Sequence, residues 1–241
     1  GLGLGVVAMS LKQSQRVKNK HRNREIFAVG EYWHSDVNVL KGYLENSHRT
    51  MSLFDVSLHF KFLKAGREGA SFDLRTIFDD TLVSREPGYA VTFVDNHDTQ
   101  YGQSLQSFVE DWFKPLAYAL ILLRQAGTPC VFYGDLYGIP HNDIGPVREL
   151  EKLMLARKHY GHGPQRDYFD HPNVIGWCRG SGMAVVLSNG DDGWKRMRIG
   201  YPGETFVDAL GNRSEEIVIG PDGWANFTVN GGSVSVWVPK V

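Results

Sequence analysis

The chain has 241 residues, 42% hydrophobic and 22% charged, enough for one large domain or two smaller ones of ordinary globular composition. Its 26 Lys and Arg against 27 Asp and Glu leave a formal net charge of −1, which gives no electrostatic footprint for nucleic acid or an anionic membrane. The longest apolar stretch, residues 116–123, is bounded by Pro115 and Arg124 and is too short to span a bilayer.

The first ten residues are glycine-rich and apolar but lack the charged region that opens a signal peptide, and Met9 is the first methionine. This start reads as that of a fragment or a displaced reading frame. Residues 11–25 are basic and polar with few apolar anchors, and read as a solvated arm. Ile26-Phe27-Ala28-Val29-Gly30 reads as a strand buried on both faces, ending at Glu31-Tyr32-Trp33. Residues 36–46 look helical, 51–62 contain a short apolar segment, and 72–82 carry apolar residues at helical spacing. Tyr89-Ala90-Val91-Thr92-Phe93-Val94 is the clearest buried strand, and it stops at Asp95-Asn96-His97-Asp98. Residues 105–125 predict a long helix kinked at Pro115, with Gly127 as its cap. Residues 129–134 predict a strand, and 147–159 a helix with basic residues toward its C-terminal end.

Strand and helix alternate up to here, the pattern of an α/β fold on a parallel sheet, and polar residues gather just after the strands. From about residue 165 the pattern changes. Short apolar runs are separated by Asn189-Gly190, Asp192-Gly193, Asp222-Gly223 and Asn230-Gly231, which read as hairpin turns of an antiparallel β domain. The expected divisions are 1–25, 26–164 and 165–241. Aromatic residues reach 12%, which suits a sugar-binding cleft and equally a large core. Cys130 and Cys178 have no metal-ligand spacing and read as buried thiols, with a single bridge as the alternative.

Two segments offer chemistry. Glu31 follows a strand and precedes two aromatics, where desolvation raises a carboxyl toward useful acidity; an ion-paired strand end is the plainer reading. Asp95-Asn96-His97-Asp98 places two carboxylates, an amide and an imidazole after the best strand, where a turn is the plainer reading. Together Glu31 and Asp98 offer carboxylates of the kind glycoside hydrolysis uses.

Phe93-Val94-Asp95-Asn96-His97-Asp98 resembles the segment after barrel strand seven of the α-amylase family, and Gly30-Glu31-Tyr32-Trp33 resembles its strand-five segment. Ser52-Leu53-Phe54-Asp55-Val56, Asp111-Trp112-Phe113-Lys114-Pro115-Leu116-Ala117-Tyr118, Val131-Phe132-Tyr133-Gly134-Asp135, Asp167-Tyr168-Phe169-Asp170-His171 and Asn230-Gly231-Gly232-Ser233-Val234-Ser235-Val236 also look like that family, most closely the liquefying bacterial type and its intracellular fungal cousins.

The resemblance implies a partial (β/α)8 TIM barrel, roughly strands 5–8, followed by an antiparallel β-sandwich. It implies retaining hydrolysis of internal α-1,4-glucosidic bonds in starch or glycogen. Glu31 would be the general acid/base, Asp98 the transition-state stabiliser, His97 a hydrogen-bonding partner of the same sugar, and Trp33 and Tyr32 the cleft lining. The family's nucleophilic Asp falls at or before Gly1 by the same resemblance, and the first 30 residues contain no Asp. The competing expectation is therefore an inactive truncated remnant or a weak carbohydrate binder, with an N-terminal half missing. Calcium is the implied cofactor. Its principal sites would lie in that missing half, and a further site between barrel and β domain would take side chains from Asn173 and Asn189, where Asp is usual. The implied partner is an α-glucan. The absent signal and two free thiols favour the cytoplasm over secretion.

Overall fold

The computed structural model describes residues 27–240. They divide into two compact units interleaved along the chain: residues 27–60, Phe78–Phe93 and Ala126–Cys130 form the first, and Lys61–Ile77, Val94–Gln125 and residues 131–240 the second. The expected basic arm lies outside the described residues.

The first unit is built on a parallel sheet of β1 (Val29–Gly30), β2 (Ser52–Phe54), β3 (Ala90–Phe93) and β4 (Thr128–Cys130), in that order. All four residues of β3 are buried, as a central strand covered on both faces requires. β1 departs from the expectation of two-sided burial. It stands at one edge of the described sheet, and Val29 is 40% exposed. At the other edge β4 carries Pro129, tolerated there because an edge strand can spare a backbone donor. The first helix, α1 (Val37–Asn46), starts where the Asp36 carboxylate accepts the Asn38 N–H at 2.8 Å. It buries Val37, Leu40 and Leu44, one face at helical spacing.

The apolar segment after β2 becomes α2 (Val56–Glu68). The helical spacing read over 72–82 does not yield a helix of that length. A 3-10 turn at Leu74–Thr76 is followed by Asp80 in the left-handed region, φ 54°, and by the short α3 (Leu82–Arg85) behind the Thr81 cap. Gly127 is not a helix cap either. With φ +82° it precedes β4, and an added Cβ would stand 2.9 Å from Val83 Cγ2 and 3.0 Å from Thr92 Cγ2, so the close approach of backbone to these side chains demands glycine.

In the second unit the helix expected over 105–125 is reduced to α4 (Lys114–Leu122), with Pro115 in its first turn. Proline there costs no hydrogen bond, so it starts the helix rather than kinking it. Every residue of α4 except Pro115 is buried. The strand expected over 129–134 ends at Cys130 in β4, and α5 (Tyr133–Tyr137) follows. α6 (Leu150–Tyr160) carries Arg157, Lys158 and His159 in its last turn, where they complement the helix dipole.

The rest of the second unit is antiparallel: β5 (Gln165–Tyr168), β6 (Val174–Arg179), β7 (Met183–Ser188), β8 (Gly193–Arg198), β9 (Thr205–Asp208), β10 (Ile217–Val218), β11 (Trp224–Val229) and β12 (Ser233–Pro239). Six strands pair in the order β10-β9-β12-β7-β6-β5, and β8 pairs with β11 in a second sheet. Val186, Phe206 and Trp237 of the larger sheet share one core with Met197, Phe227 and Val229 of the smaller. No helix occurs in this stretch among the described residues. The Asn-Gly and Asp-Gly turns do not close hairpins as expected. β7 to β8, β10 to β11 and β11 to β12 each carry the chain from one sheet to the other. The β6–β7 hairpin is closed by Gly180-Ser181-Gly182, with Gly180 at φ +51°.

Candidate functional site

In the first unit, Glu31 is the first residue beyond β1, at the C-terminal end of the parallel sheet, and it is exposed. The two aromatics behind it anchor the strand exit. The Tyr32 ring stacks on Tyr43 of α1, centroids 4.8 Å apart at 20°. Trp33 packs against His59, Phe60 and Phe93 at 5.3, 6.0 and 6.1 Å. His59 in turn stacks on Phe93 at 5.1 Å and 8°. Both anchors are half-buried, so each ring keeps an open part.

Asp55 holds the corresponding position beyond β2, but its carboxylate turns inward. It accepts from Ser57 Oγ at 2.6 Å and from the N–H groups of Leu58, Leu82 and Val83 at 3.0, 3.1 and 2.7 Å. These amides open α2 and α3, so one buried side chain caps two helices. Burial raises its carboxyl above the ordinary range against the pull of those donors.

In the second unit, residues 94–98 follow β3 and divide into a buried anchor and an open tip. Asp95 is buried; it accepts from Thr99 Oγ1 at 3.0 Å and from the Val109 N–H at 3.3 Å, and lies 3.3 Å from Lys114 Nζ. Lys114 reaches Asp135 at 2.8 Å, and Tyr118 donates its hydroxyl to the same Asp135 at 2.6 Å. Desolvation pushes the Asp95 carboxyl up to about 7 although Lys114 pulls it down. The Asn96 side chain accepts from the Asp98 and Thr99 N–H groups at 2.9 and 3.0 Å, closing an Asx turn. Beyond that knot, His97 is 81% exposed and Asp98 32%, with Nε2 3.6 Å from the Asp98 Oδ2. A carboxylate and an imidazole held side by side on a braced turn can bind adjacent hydroxyls and stabilise positive charge.

Glu31, Tyr32 and Trp33 therefore belong to the first unit, and His97 and Asp98 to the second. Lys114, Tyr118, Asp135 and Asp55 were not singled out from the sequence. A lysine inside the apolar run Trp112-Phe113-Lys114-Pro115-Leu116 was the available signal, since a charge there needs a buried partner.

Asn173 and Asn189 do come together. Asn173 immediately precedes β6 and Asn189 immediately follows β7, and Asn173 Nδ2 donates to Asn189 Oδ1 at 2.9 Å. Among the described residues, no three His, Cys, Asp or Glu side chains group as metal ligands, and no helix is long and apolar enough to cross a membrane. Cys130 and Cys178 are free thiols, Cys178 buried and pushed up to about 12 by desolvation, Cys130 only half-buried.

A family model described as "Alpha-amylase C-terminal" matches residues 183–238. The α-amylase of Geobacillus stearothermophilus is 51% identical over 227 residues, covering 90% of this chain and 41% of the relative. The cytoplasmic α-amylase of Escherichia coli K12 is 46% identical, covering 89% and 47%. The chain thus spans less than half the length of these curated relatives. The crystal structure of γ-CGTase from alkalophilic Bacillus clarkii superposes with a TM-score of 0.63 at 18% identity, over 96% of this chain and 38% of that one, a likeness of fold.

Proposed function

We propose that this chain, which corresponds to the C-terminal part of the bacterial-type α-amylases, carries the acid/base and stabilising side of a retaining site for internal α-1,4-glucosidic bonds of starch or glycogen. Glu31 protonates the departing glycosidic oxygen and later takes a proton from the attacking water. Asp98 stabilises the oxocarbenium-like transition state, and His97 hydrogen-bonds the same sugar ring. Tyr32 and Trp33 line the cleft with the open parts of their rings. The four parallel strands are strands five to eight of a (β/α)8 barrel, and the residues from 165 are its β-sandwich. The free thiols and a cytoplasmic relative favour the cytoplasm.

The observation that carries this reading is the division of labour in Asp95-Asn96-His97-Asp98. Asp95 is buried and braced by Lys114 and Thr99, Asn96 closes an Asx turn, and His97 and Asp98 keep access to solvent. A turn needed only to reverse the chain requires no buried carboxylate–lysine brace beneath it.

A retaining reaction also needs an attacking carboxylate, and residues 1–30 contain no Asp. A second reading of these 241 residues taken alone is glucan binding without turnover. Loss of a nucleophile costs on the order of 10⁴- to 10⁶-fold in rate, or about 5–8 kcal/mol of barrier. The 241-residue chain alone is expected to release only traces of reducing sugar from soluble starch. Residues 27–241 grafted in place of the matching part of the G. stearothermophilus enzyme should give an active chimera, silenced by Glu31→Gln and strongly impaired by Asp98→Asn. A chimera that keeps its rate with Glu31→Gln would end the assignment.

A further inference from the structure

Two asparagines stand where the resemblance calls for carboxylates around calcium, and their surroundings do not suit a cation. Three backbone carbonyls of one segment, Gly69, Ala70 and Phe72, converge on the Asn173–Asn189 pair. Asn173 Nδ2 donates to Ala70 O at 2.7 Å and to Asn189 Oδ1 at 2.9 Å. Asn189 Nδ2 donates to Gly69 O and to Phe72 O, both at 2.8 Å. An amide nitrogen carries two protons, so the pair has four to give, and these four bonds use all of them. Reversing either amide would turn its oxygen toward carbonyl oxygens, so the acceptors dictate the orientation. Calcium would need six to eight oxygens around it at roughly 2.3–2.6 Å. Here the carbonyl oxygens face N–H groups. Asp73 and Asp170, close in sequence to the 69–72 segment and to Asn173, are held by Arg75 and Lys195.

We infer that the Asn173–Asn189 pair is an amide clamp that does the work of a bridging cation, binding the 69–72 segment to the ends of β6 and β7 independently of calcium. Convergent carbonyl dipoles repel one another unless something positive faces them. Four partial charges on amide protons answer that need without a metal. The placement suits a fastener, because the bonds join positions 103 to 120 residues apart. The Asn189 N–H to Asn173 O bond at 3.2 Å and the Leu74 N–H to Pro172 O bond at 2.7 Å extend the same seam.

The test is thermal unfolding of the full chain and of Asn189→Ala, each in EDTA and in millimolar calcium. Asn189→Ala removes both bonds to Gly69 and Phe72, and its midpoint should fall by roughly 5–10 °C. The fall should be the same in both buffers, and using the difference between chains cancels any calcium effect elsewhere. A fall that is larger in calcium than in EDTA would mean a cation holds the joint, and no fall would mean the clamp holds nothing; either result overturns the inference. Asn173→Asp with Asn189→Asp should create what this chain lacks, losing stability in EDTA through two carboxylates facing carbonyls and regaining it in calcium. A double variant as stable in EDTA as the parent would also overturn it.

Discussion

Asp95 and Asp98 are three residues apart and occupy opposite environments. Asp98 keeps solvent on one side, and Asp95 has none. Burial holds the Asp95 carboxyl near 7 in the folded state, whereas an unfolded Asp titrates at about 3.9. The folded chain therefore binds more protons than the unfolded one between those values. The stabilisation due to this proton is complete below the unfolded value and is lost as pH rises through about 7. Denaturant unfolding of the parent and of Asp95→Asn across this range should show their stability difference moving against the parent as pH rises. The slope is at most about 1.4 kcal/mol per pH unit. A difference that moves toward the parent with rising pH would mean the carboxylate is the form the fold favours. At this scale the sequence marked the polar segment after the strand but not which of its two carboxylates is buried, because burial is decided by Lys114, Val109 and Asp135, 14 to 40 positions away.

At the scale of elements, turn chemistry was legible and pairing was not. Asn189-Gly190, Asp222-Gly223 and Asn230-Gly231 do mark reversals, but each passes the chain between sheets. A tight turn needs the same backbone freedom whether the next strand pairs beside the last or packs across from it. Proline is ambiguous in the same way: Pro115 can kink a helix or open one, and only the tertiary structure starts the helix there. Asp55 shows how short elements are held. α3 has only four residues, too few to persist unaided, and two of its first N–H groups are met by Asp55 from 27 and 28 positions earlier. Asp55→Ala leaves the Ser57 hydroxyl and the Leu58 and Val83 N–H groups without their acceptor, Leu82 N–H keeping Ser57 Oγ at 3.1 Å, and should cost about 3 kcal/mol or more in urea unfolding. Asp55→Asn, which retains one carbonyl oxygen, should cost less. Equal stability of Asp55→Ala and the parent would show that water or a neighbour replaces the carboxylate.

At the scale of the whole molecule, the two edges of the parallel sheet differ. Pro129 blunts β4, whereas β1 presents Val29 without proline or charge, and Phe27 beside it is 63% exposed. Among the described residues no strand pairs with the outer edge of β1, and an apolar strand with an unpaired edge is a template for association. The chain should therefore form larger species as concentration rises in light scattering, and Val29→Lys should reduce this while changing the unfolding midpoint little; unchanged association would move the cause elsewhere. The sequence by itself determined the alternation of strand and helix, the change to short antiparallel strands near residue 165, and the segments that carry Glu31 and Asp98. Those are local properties, written in hydrophobic period and turn composition. Tertiary structure alone decided which carboxylates face water and which cap helices, which strands share a sheet, and that Asn173 and Asn189 spend every amide proton on one another and on a segment a hundred residues away. Each of those outcomes depends on neighbours distant in the chain, and no local pattern encodes their proximity.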